Sequence, residues 1–248
     1  MRIFFLITFI CLLLVPAHAG QVAIIIDDIG YRKTDEHALT LPGNVSYAFL
    51  PHTPFAKELA LQVNQSKKDV LLHIPMEATS GKLLGPGAIT SDMDDDLINH
   101  KLSLALDEIP FAVGINNHMG SHLTKLRKPM ASTMKFLKRH KLFFVDSMTT
   151  PQTKTRALAH IYEVPHLHRH VFLDNHTNAD YIEKQFNQLV EKAKRSEFAI
   201  GIAHPHPETI KALKSLLPTL SNHNIELVPV SRLFANTDSS NSKVAMSE

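Results

Sequence analysis

Short apolar runs recur along the chain, and polar residues follow most of them. The runs are mostly continuous rather than alternating, a pattern typical of parallel β-strands that are covered on both faces. We therefore predict eight strands. They lie at residues 22–27, 45–50, 69–74, 111–116, 142–147, 170–175, 198–203 and 225–230.

Amphipathic segments separate many of these runs and predict helices, because their apolar residues recur at helical spacing. Strands that alternate with helices define an α/β protein with a parallel sheet, and seven or eight such repeats favour a (β/α) barrel. A doubly wound open sheet is the alternative. The helical segments are 55–68, 94–109, 130–141, 179–195 and 207–224.

The first 19 residues predict a signal peptide. Arg2 is followed by an apolar run at residues 3–15 and by a small-residue cleavage site that ends at Ala19. The run is shorter than the roughly 20 residues that cross a bilayer. We therefore expect cleavage, no transmembrane span in the mature chain, and a periplasmic or secreted location. An uncleaved N-terminal anchor is the alternative.

The composition narrows the chemistry of the mature chain. The sequence has 16 His, no Trp and a single cysteine, Cys11, which lies in the predicted signal peptide. Without cysteine there is no thiolate metal site, so the excess of His indicates metal binding through nitrogen and oxygen, or proton transfer. The formal net charge is +2 and no basic patch stands out, which argues against nucleic acid as a partner. The oligomeric state is left open.

A single domain is predicted at residues 21–234, because strand and helix patterns alternate without a break. The polar segment at residues 235–248 is predicted to be a disordered tail.

Polar residues collect at the predicted carboxyl ends of six strands, where parallel sheets and barrels build their functional sites. A single polar residue there is usually a turn former or a helix cap. His and Glu are not preferred caps, however, and six strands with this feature favour a shared site. The residues are Asp27, Asp28, His73, Glu77, Asn116, Asn117, His118, His122, Asp146, Asp174 and His204.

These residue types predict metal-assisted hydrolysis. Adjacent carboxylates such as Asp27 and Asp28 repel each other unless a positive charge compensates them. One Asp and two His would bind Zn²⁺ or a similar divalent ion and leave positions for water and substrate. A second carboxylate would take a proton from water, and a further His would protonate the leaving group.

Six short motifs, in their order along the chain, resemble the divergent polysaccharide deacetylases. These are exported bacterial proteins within the NodB-like carbohydrate esterase superfamily. The resemblance covers roughly residues 21–234. It implies a distorted (β/α) barrel, a divalent metal that is usually zinc, and removal of acetyl groups from a carbohydrate substrate. The motifs are AIIIDDIGY, LLHIPME, NNHMGS, FVDSMTT, VFLDN and AIGIAHPHPETI.

The resemblance also implies roles for individual residues. The paired aspartates of the first superfamily motif make Asp27 the catalytic base and Asp28 a metal ligand. The His that follows a late strand is the general acid of the superfamily, and His204 in GIAHP corresponds to it.

The second superfamily motif, a His pair separated by three residues, has two candidates here. HIPME lies at the expected place in strand order but has Glu77 at its second position. HMGSH has the spacing, with His118 and His122, but comes one strand later. We predict Asp28, His73 and His118 as ligands, with Glu77 or His122 as further candidates.

Three supporting roles are predicted for further residues. The Arg-x-Pro-Tyr motif of the superfamily is not evident, so Asp146 or Arg156 is predicted to replace its arginine. Asn117 is predicted either to orient a ligand, to donate to an oxyanion, or to form a turn. Asp174 is predicted to orient a catalytic His, with a structural cap as the alternative.

Two other functions remain open at this point. One is a non-catalytic periplasmic protein that binds a glycan or an envelope partner on the same scaffold. The other is a metal-dependent hydrolase of a different bond, such as a phosphoesterase.

Overall fold

The computed structural model describes residues 20–234. The predicted signal peptide and the predicted disordered tail lie outside the described residues. Within residues 20–234, the strands are β1 (Gly20–Ile29), β2 (Ser46–Phe49), β3 (Val70–Met76), β4 (Gly114–Met119), β5 (Phe143–Asp146), β6 (His166–His168), β7 (Val171–Phe172), β8 (Phe198–Ala203) and β9 (Ile225–Leu227). The α-helices are α1 (Ala56–Gln65), α2 (Asp95–Glu108), α3 (Arg127–His140), α4 (Thr155–Ile161), α5 (Ala179–Ser196) and α6 (Pro207–Leu216).

The strands form one parallel sheet that curls into a partial barrel. Its order is β6-β5-β4-β3-β2-β1-β8-β7, so β6 and β7 lie at the two edges. The short strand β9 pairs with residues 20–22 of β1, before the segment of β1 that pairs with β2. Because every pair is parallel, the carboxyl ends of the strands lie at one end of the barrel.

Both faces of the sheet are buried, which explains the continuous apolar runs. Ile24 and Ile26 of β1 pack in the cluster that includes the helices. Ile25, between them, packs in a second cluster of strand residues and the segment 228–234. Each fully buried aliphatic side chain contributes about 1.5–3 kcal/mol, so a polar residue at any of these positions would be costly.

The predicted parallel (β/α) barrel is confirmed, and each of the eight predicted runs contains part of a strand. The doubly wound alternative was wrong, because the order runs in one direction from β6 to β1 without the reversal that defines a switch point. Among residues 20–234, no helix combines the length and the apolar character that crossing a bilayer requires.

Two elements differ from the sequence prediction. His166 and His168 belong to β6 and pair with β5, although none of the eight predicted strands includes them. The His166 ring stacks on Phe144, and its Nε2 lies 3.1 Å from Thr155 Oγ1, so packing turns this polar segment into a half-buried strand. Helix α4 was not predicted.

Candidate metal centre

The first strand ends in a bulge that directs two adjacent carboxylates toward one region. Between Ile26 and Ile29 of β1, the register with β2 shifts. Asp28 has a left-handed backbone with φ 60°, a conformation that Asp tolerates better than most residues. In a regular strand, adjacent side chains would point to opposite faces. The bulge removes that constraint for Asp27 and Asp28.

Asp28, His73 and His118 form a close group toward the carboxyl ends of β1, β3 and β4. Oδ1 of Asp28 lies 3.0 Å from Nε2 of His73 and 2.7 Å from Nδ1 of His118. The three ligand atoms all lie within 4.8 Å of one another. Two imidazole nitrogens and one carboxylate oxygen are a donor set that suits Zn²⁺ and leaves coordination positions open. The residues that the sequence predicted as ligands therefore fit a divalent metal.

A hydrogen-bonded chain connects this group to Asp27. Nδ1 of His73 lies 2.8 Å from Oδ1 of Asn116, and Nδ2 of Asn116 donates to Oδ1 of Asp27 at 2.7 Å. Nε2 of His73 lies 3.7 Å from Oδ2 of Asp27. His73, Asn116 and Asp27 are all buried. The amide of Asn116 thus fixes the orientation of both the ring and the carboxylate.

The two carboxylates differ in their proton affinity. Burial raises the pKa of Asp27 above its usual range, and the nearby charges of His73 and His204 only partly offset this. Burial also opposes ionisation of Asp28, but hydrogen bonds from His118 and His73 outweigh it and hold its pKa below the usual range. Asp28 is therefore ionised, while Asp27 keeps a stronger affinity for a proton.

His73 responds to the same charges. Burial alone would lower its pKa, but the charges of Asp27 and Asp28 and the hydrogen bond with Asp28 raise it. The site therefore favours a positive charge at this position, whether a protonated imidazole or a metal ion.

His204 faces the group from the end of β8. Its Nε2 lies 3.9 Å from Oδ2 of Asp28, and its Nδ1 lies 2.9 Å from Oδ1 of Asp174. Burial would lower the pKa of His204, but the hydrogen bond and the charge of Asp174 outweigh it and raise that pKa to about 9. The ring therefore carries a proton at neutral pH.

Asp174 is held by several donors at once. Its Oδ2 accepts from the backbone N of His204 at 2.7 Å and from Oγ1 of Thr209 at 3.0 Å. Asp174, His204 and His206 form a second close group of ligand types. Because protein donors already occupy both oxygens of Asp174, the first group is the better metal site.

The structure places Glu77 and His122 beside each other and apart from the group of three. Nε2 of His122 lies 3.7 Å from Oε1 of Glu77, and Oε2 of Glu77 accepts from the backbone N of Ser91 at 2.6 Å. These contacts connect the ends of β3 and β4 to the loop before α2. A role for either residue as a ligand stays a prediction.

Asn117 and Asp146 form contacts within the strand-end loops. Oδ1 of Asn117 accepts from the backbone N of Ser147 at 3.0 Å, and Nδ2 donates to the Met119 carbonyl at 2.7 Å. Asp146 accepts from Thr153 and Thr155 and is fully buried. Asn117 lies on β4 and its side chain connects that strand to the segment after β5, so its role at the site stays a prediction.

Two further residues were not assigned roles from the sequence. Asn116 was noted only as a polar strand end, yet it bridges His73 and Asp27. Arg169 donates to the carbonyls of Ser147 and Met148, and its charge acts on Asp27 and Asp146.

Arg169 has a local signal that a search for an Arg-x-Pro-Tyr motif would miss. It lies between two His in HLHRH, and its guanidinium stacks 3.7 Å above the Phe172 ring. The electrostatic effect of its charge on Asp27 depends on how the chain folds at the edge of the barrel.

The fold and the site define a protein with a parallel (β/α) barrel and an Asp–His–His group at the strand ends. The sequence pattern of the family described as divergent polysaccharide deacetylase matches residues 24–234. The chain therefore belongs to this family, as its six motifs predicted.

Relatives and solved structures agree with this assignment. The uncharacterized protein YibQ of Escherichia coli (strain K12) is 38% identical over 219 residues, covering 88% of this chain and 68% of that protein. The crystal structure of the uncharacterized protein ATU2773 from Agrobacterium tumefaciens C58 has a TM-score of 0.84 at 22% identity, covering 88% of this chain and 90% of that one.

A more distant structure is a mutant of BA3943 from Bacillus anthracis, described as a CE4 family pseudoenzyme with restored enzymatic activity. Its TM-score is 0.53 at 13% identity, with 87% of this chain and 67% of that one covered. At this identity the likeness shows a shared fold, so function has to be argued from the site itself.

Proposed function

We propose that this protein is a metal-dependent hydrolase that removes acetyl groups from a carbohydrate. The observation that carries the proposal is the convergence of Asp28, His73 and His118, with Asp27 beside them and His204 opposite. The three residues would hold a divalent ion, for which Zn²⁺ is the best fit to the donors. That ion would polarise the carbonyl group and make water more acidic.

Asp27 is proposed as the general base. Its carboxylate is buried and has a raised pKa, so it accepts a proton more readily than an exposed aspartate does. Asn116 keeps Oδ1 of Asp27 in a hydrogen bond and leaves Oδ2 on the side of His73. As water adds to the acetyl carbon, its proton would pass to this carboxylate.

His204 is proposed as the general acid. Asp174 accepts from Nδ1 and leaves Nε2 directed toward the site. Because the pKa of His204 is about 9, Nε2 carries a proton at neutral pH. When the bond between the acetyl carbon and the sugar nitrogen or oxygen breaks, that proton would pass to the leaving atom, and acetate would be released.

We also propose that the protein acts in the bacterial envelope. The proposal rests on the signal-peptide pattern of residues 1–19. Fractionation of cells that express the full chain, followed by N-terminal sequencing of the mature protein, tests it. A cytoplasmic protein with an intact N-terminus would contradict it.

The hydrolase proposal is tested by two measurements on one protein sample, the bound metal and the acetate released from N-acetylglucosamine oligomers. We expect one zinc per chain and measurable release. Asp27→Asn should keep the zinc and lower the rate by about 10²- to 10⁴-fold. Asp180→Asn, at an exposed position in α5, is the matched control and should leave both unchanged. A protein that binds no metal and releases no acetate would overturn the proposal.

A second candidate is a protein that binds a glycan without hydrolysing it. The observations that favour it are the CE4 pseudoenzyme on the same fold and the Glu at position 77 of HIPME. Glycan binding that is equal in the wild type and in His204→Ala, together with no acetate release, would support this alternative.

A further inference from the structure

A cleft of about 270 Å³ opens directly beside the candidate metal centre. Asp28 and His118 form one wall of it. The other lining residues come from the segment after β1, from the end of β2 and from the long loop between β3 and α2. They are Tyr31, Arg32, Leu50, Leu83, Leu84 and Gly85. A substrate whose acetyl group reaches Asp28 and His118 would place its neighbouring groups against these residues.

Among residues 20–234, Arg32 is the one arginine or lysine that lines this cleft. Its Nε donates to Oδ1 of Asp35 at 3.3 Å. Oδ2 of Asp35, which is buried, also accepts from the backbone N of Gly30 at 3.0 Å and of Arg32 at 3.1 Å. The arginine side chain is therefore anchored at its Nε by a carboxylate that two backbone donors hold in place.

The two terminal nitrogens of Arg32 remain available. Within residues 20–234, neither Nη1 nor Nη2 has a hydrogen-bond acceptor in the protein, and the side chain is 57% exposed. A guanidinium held at Nε presents these nitrogens as a planar fork, which matches the two oxygens of a carboxylate or phosphate. The rest of the lining away from the metal centre carries no charged side chain, and the Tyr31 hydroxyl is its one side-chain hydrogen-bond donor.

We propose that Arg32 is a specificity-determining residue that binds an anionic group, a carboxylate or a phosphate, on the carbohydrate substrate. This inference rests on the proposed function, because it takes the metal centre as the place of the acetyl group. The substrate class is then an acidic acetylated glycan rather than a neutral one. Tyr31, which is 48% exposed, would contact a sugar ring in the same cleft.

The test compares binding of three probes by calorimetry at low salt. The probes are a neutral N-acetylglucosamine tetramer, a tetramer in which N-acetylglucosamine alternates with glucuronate, and N-acetylglucosamine bearing a phosphate. The Asp27→Asn protein is used so that turnover of the probes is slow. We expect the anionic probes to bind at least tenfold more tightly than the neutral tetramer. The anionic probe whose affinity exceeds that of the neutral tetramer by the larger factor shows whether the bound group is a carboxylate or a phosphate.

Variants of Arg32 assign the preference to this residue. Arg32→Gln should abolish the preference for anionic probes. Arg32→Lys should lose most of this preference, because a lysine lacks the planar fork. Lys33→Gln removes an equal charge from the next, exposed position and should leave the preference intact. Binding of the neutral tetramer shows that the site of each variant is folded. If Arg32→Gln does not fold, Arg32→Lys decides the question.

Two results would overturn the inference. One is equal affinity of the Asp27→Asn protein, with Arg32 intact, for neutral and anionic probes. The other is an anion preference that survives in Arg32→Gln. Failure of the hydrolase proposal is a separate result, because it is read from acetate release by the wild-type protein and does not depend on the calorimetric comparison.

Discussion

Nδ1 of His204 lies 2.9 Å from Oδ1 of Asp174, although the two residues are 30 positions apart in the sequence. The contact leaves Nε2 as the ring nitrogen that faces Asp28. A free imidazole could turn either nitrogen to the site, whereas this one is held by a fully buried carboxylate side chain. Asp174 is therefore a positioning residue for the proposed general acid.

The first prediction concerns this contact. We expect Asp174→Asn to lower kcat for acetate release by about 10- to 100-fold with little change in KM, because hydrogen bonds to charged groups contribute about 1.5–3 kcal/mol. Thr209→Val removes only the hydroxyl that donates to Oδ2 and should have a smaller effect. The measurement is steady-state kinetics, with thermal unfolding as a check on folding. An unchanged kcat in Asp174→Asn would contradict the role.

The second prediction separates the two candidate His motifs. His118→Ala should lose bound zinc, because its Nδ1 lies within the group of ligand atoms. His122→Ala should keep the zinc, since the contact of that ring is with Glu77. The two variants are matched in residue type and lie four positions apart. Metal content measured after dialysis decides between them, and loss of zinc in His122→Ala would show that the ligand set is different.

The third prediction is a dependence of stability on pH. Burial lowers the pKa of His166 to about 4 and that of His170 to about 4, against about 6.5 in an unfolded chain. Between these values the unfolded chain binds more protons, so the free energy of unfolding should fall as the pH is lowered from 6.5 toward 4. We expect His166→Gln/His170→Gln to lose part of this dependence.

The comparison is made on Tm at pH 7 and at pH 4.5. The drop in Tm should be smaller in the double variant by about 2–4 °C, which corresponds to roughly 1 kcal/mol for a protein of this size. His160→Gln, at an exposed position, is the control and should behave like the wild type. Equal drops in Tm for the double variant and the wild type would refute the prediction.

The fourth prediction concerns Gly30, two residues after Asp28. Its φ is +131°, and a Cβ there would lie 2.2 Å from Oγ1 of Thr53. Gly30→Ala should destabilise the protein by about 2–5 kcal/mol, because backbone strain and overpacking add. Gly81→Ala is the control, with φ +66° and no atom within 4 Å of the added Cβ. It should cost only about 1–2 kcal/mol.

Denaturant unfolding of the two alanine variants measures both values. A Gly30→Ala protein as stable as Gly81→Ala would mean that the turn after β1 relaxes without cost. The prediction also bears on the site, because Gly30 donates to the Asp35 carboxylate that anchors Arg32.

The sequence contained enough local information to predict most of the fold. Buried parallel strands such as residues 198–203 are continuous apolar runs, and the helix at 179–195 repeats its apolar residues at helical spacing. Both patterns depend only on neighbours in the chain. The strand β6 escaped prediction because its two His are polar, and His166 is half-buried by packing on Phe144 and Thr155.

For the candidate site too, some features follow from the sequence and others only from the tertiary structure. That Asp28 and His73 follow apolar runs, and so lie at strand ends, is a property of the sequence. That their side-chain atoms lie 3.0 Å apart across 45 residues depends on the order of the strands and on the left-handed backbone of Asp28. No local pattern encodes which of His118 and His122 joins them. The His118 ring lies on β4 and contacts Asp28, whereas the turn after β4 places the His122 ring beside Glu77.

The sequence by itself therefore determined the barrel, the family and the set of polar residues from which a site is built. Only the tertiary structure decided that Asn116 bridges His73 and Asp27, that Arg169 lies near Asp27, and that Arg32 opens onto the cleft. The reason is physical. Apolar periodicity is set by each residue and its neighbours in the chain, whereas contacts between distant side chains depend on strand register, bulges and loop conformation, which the whole packed barrel fixes together.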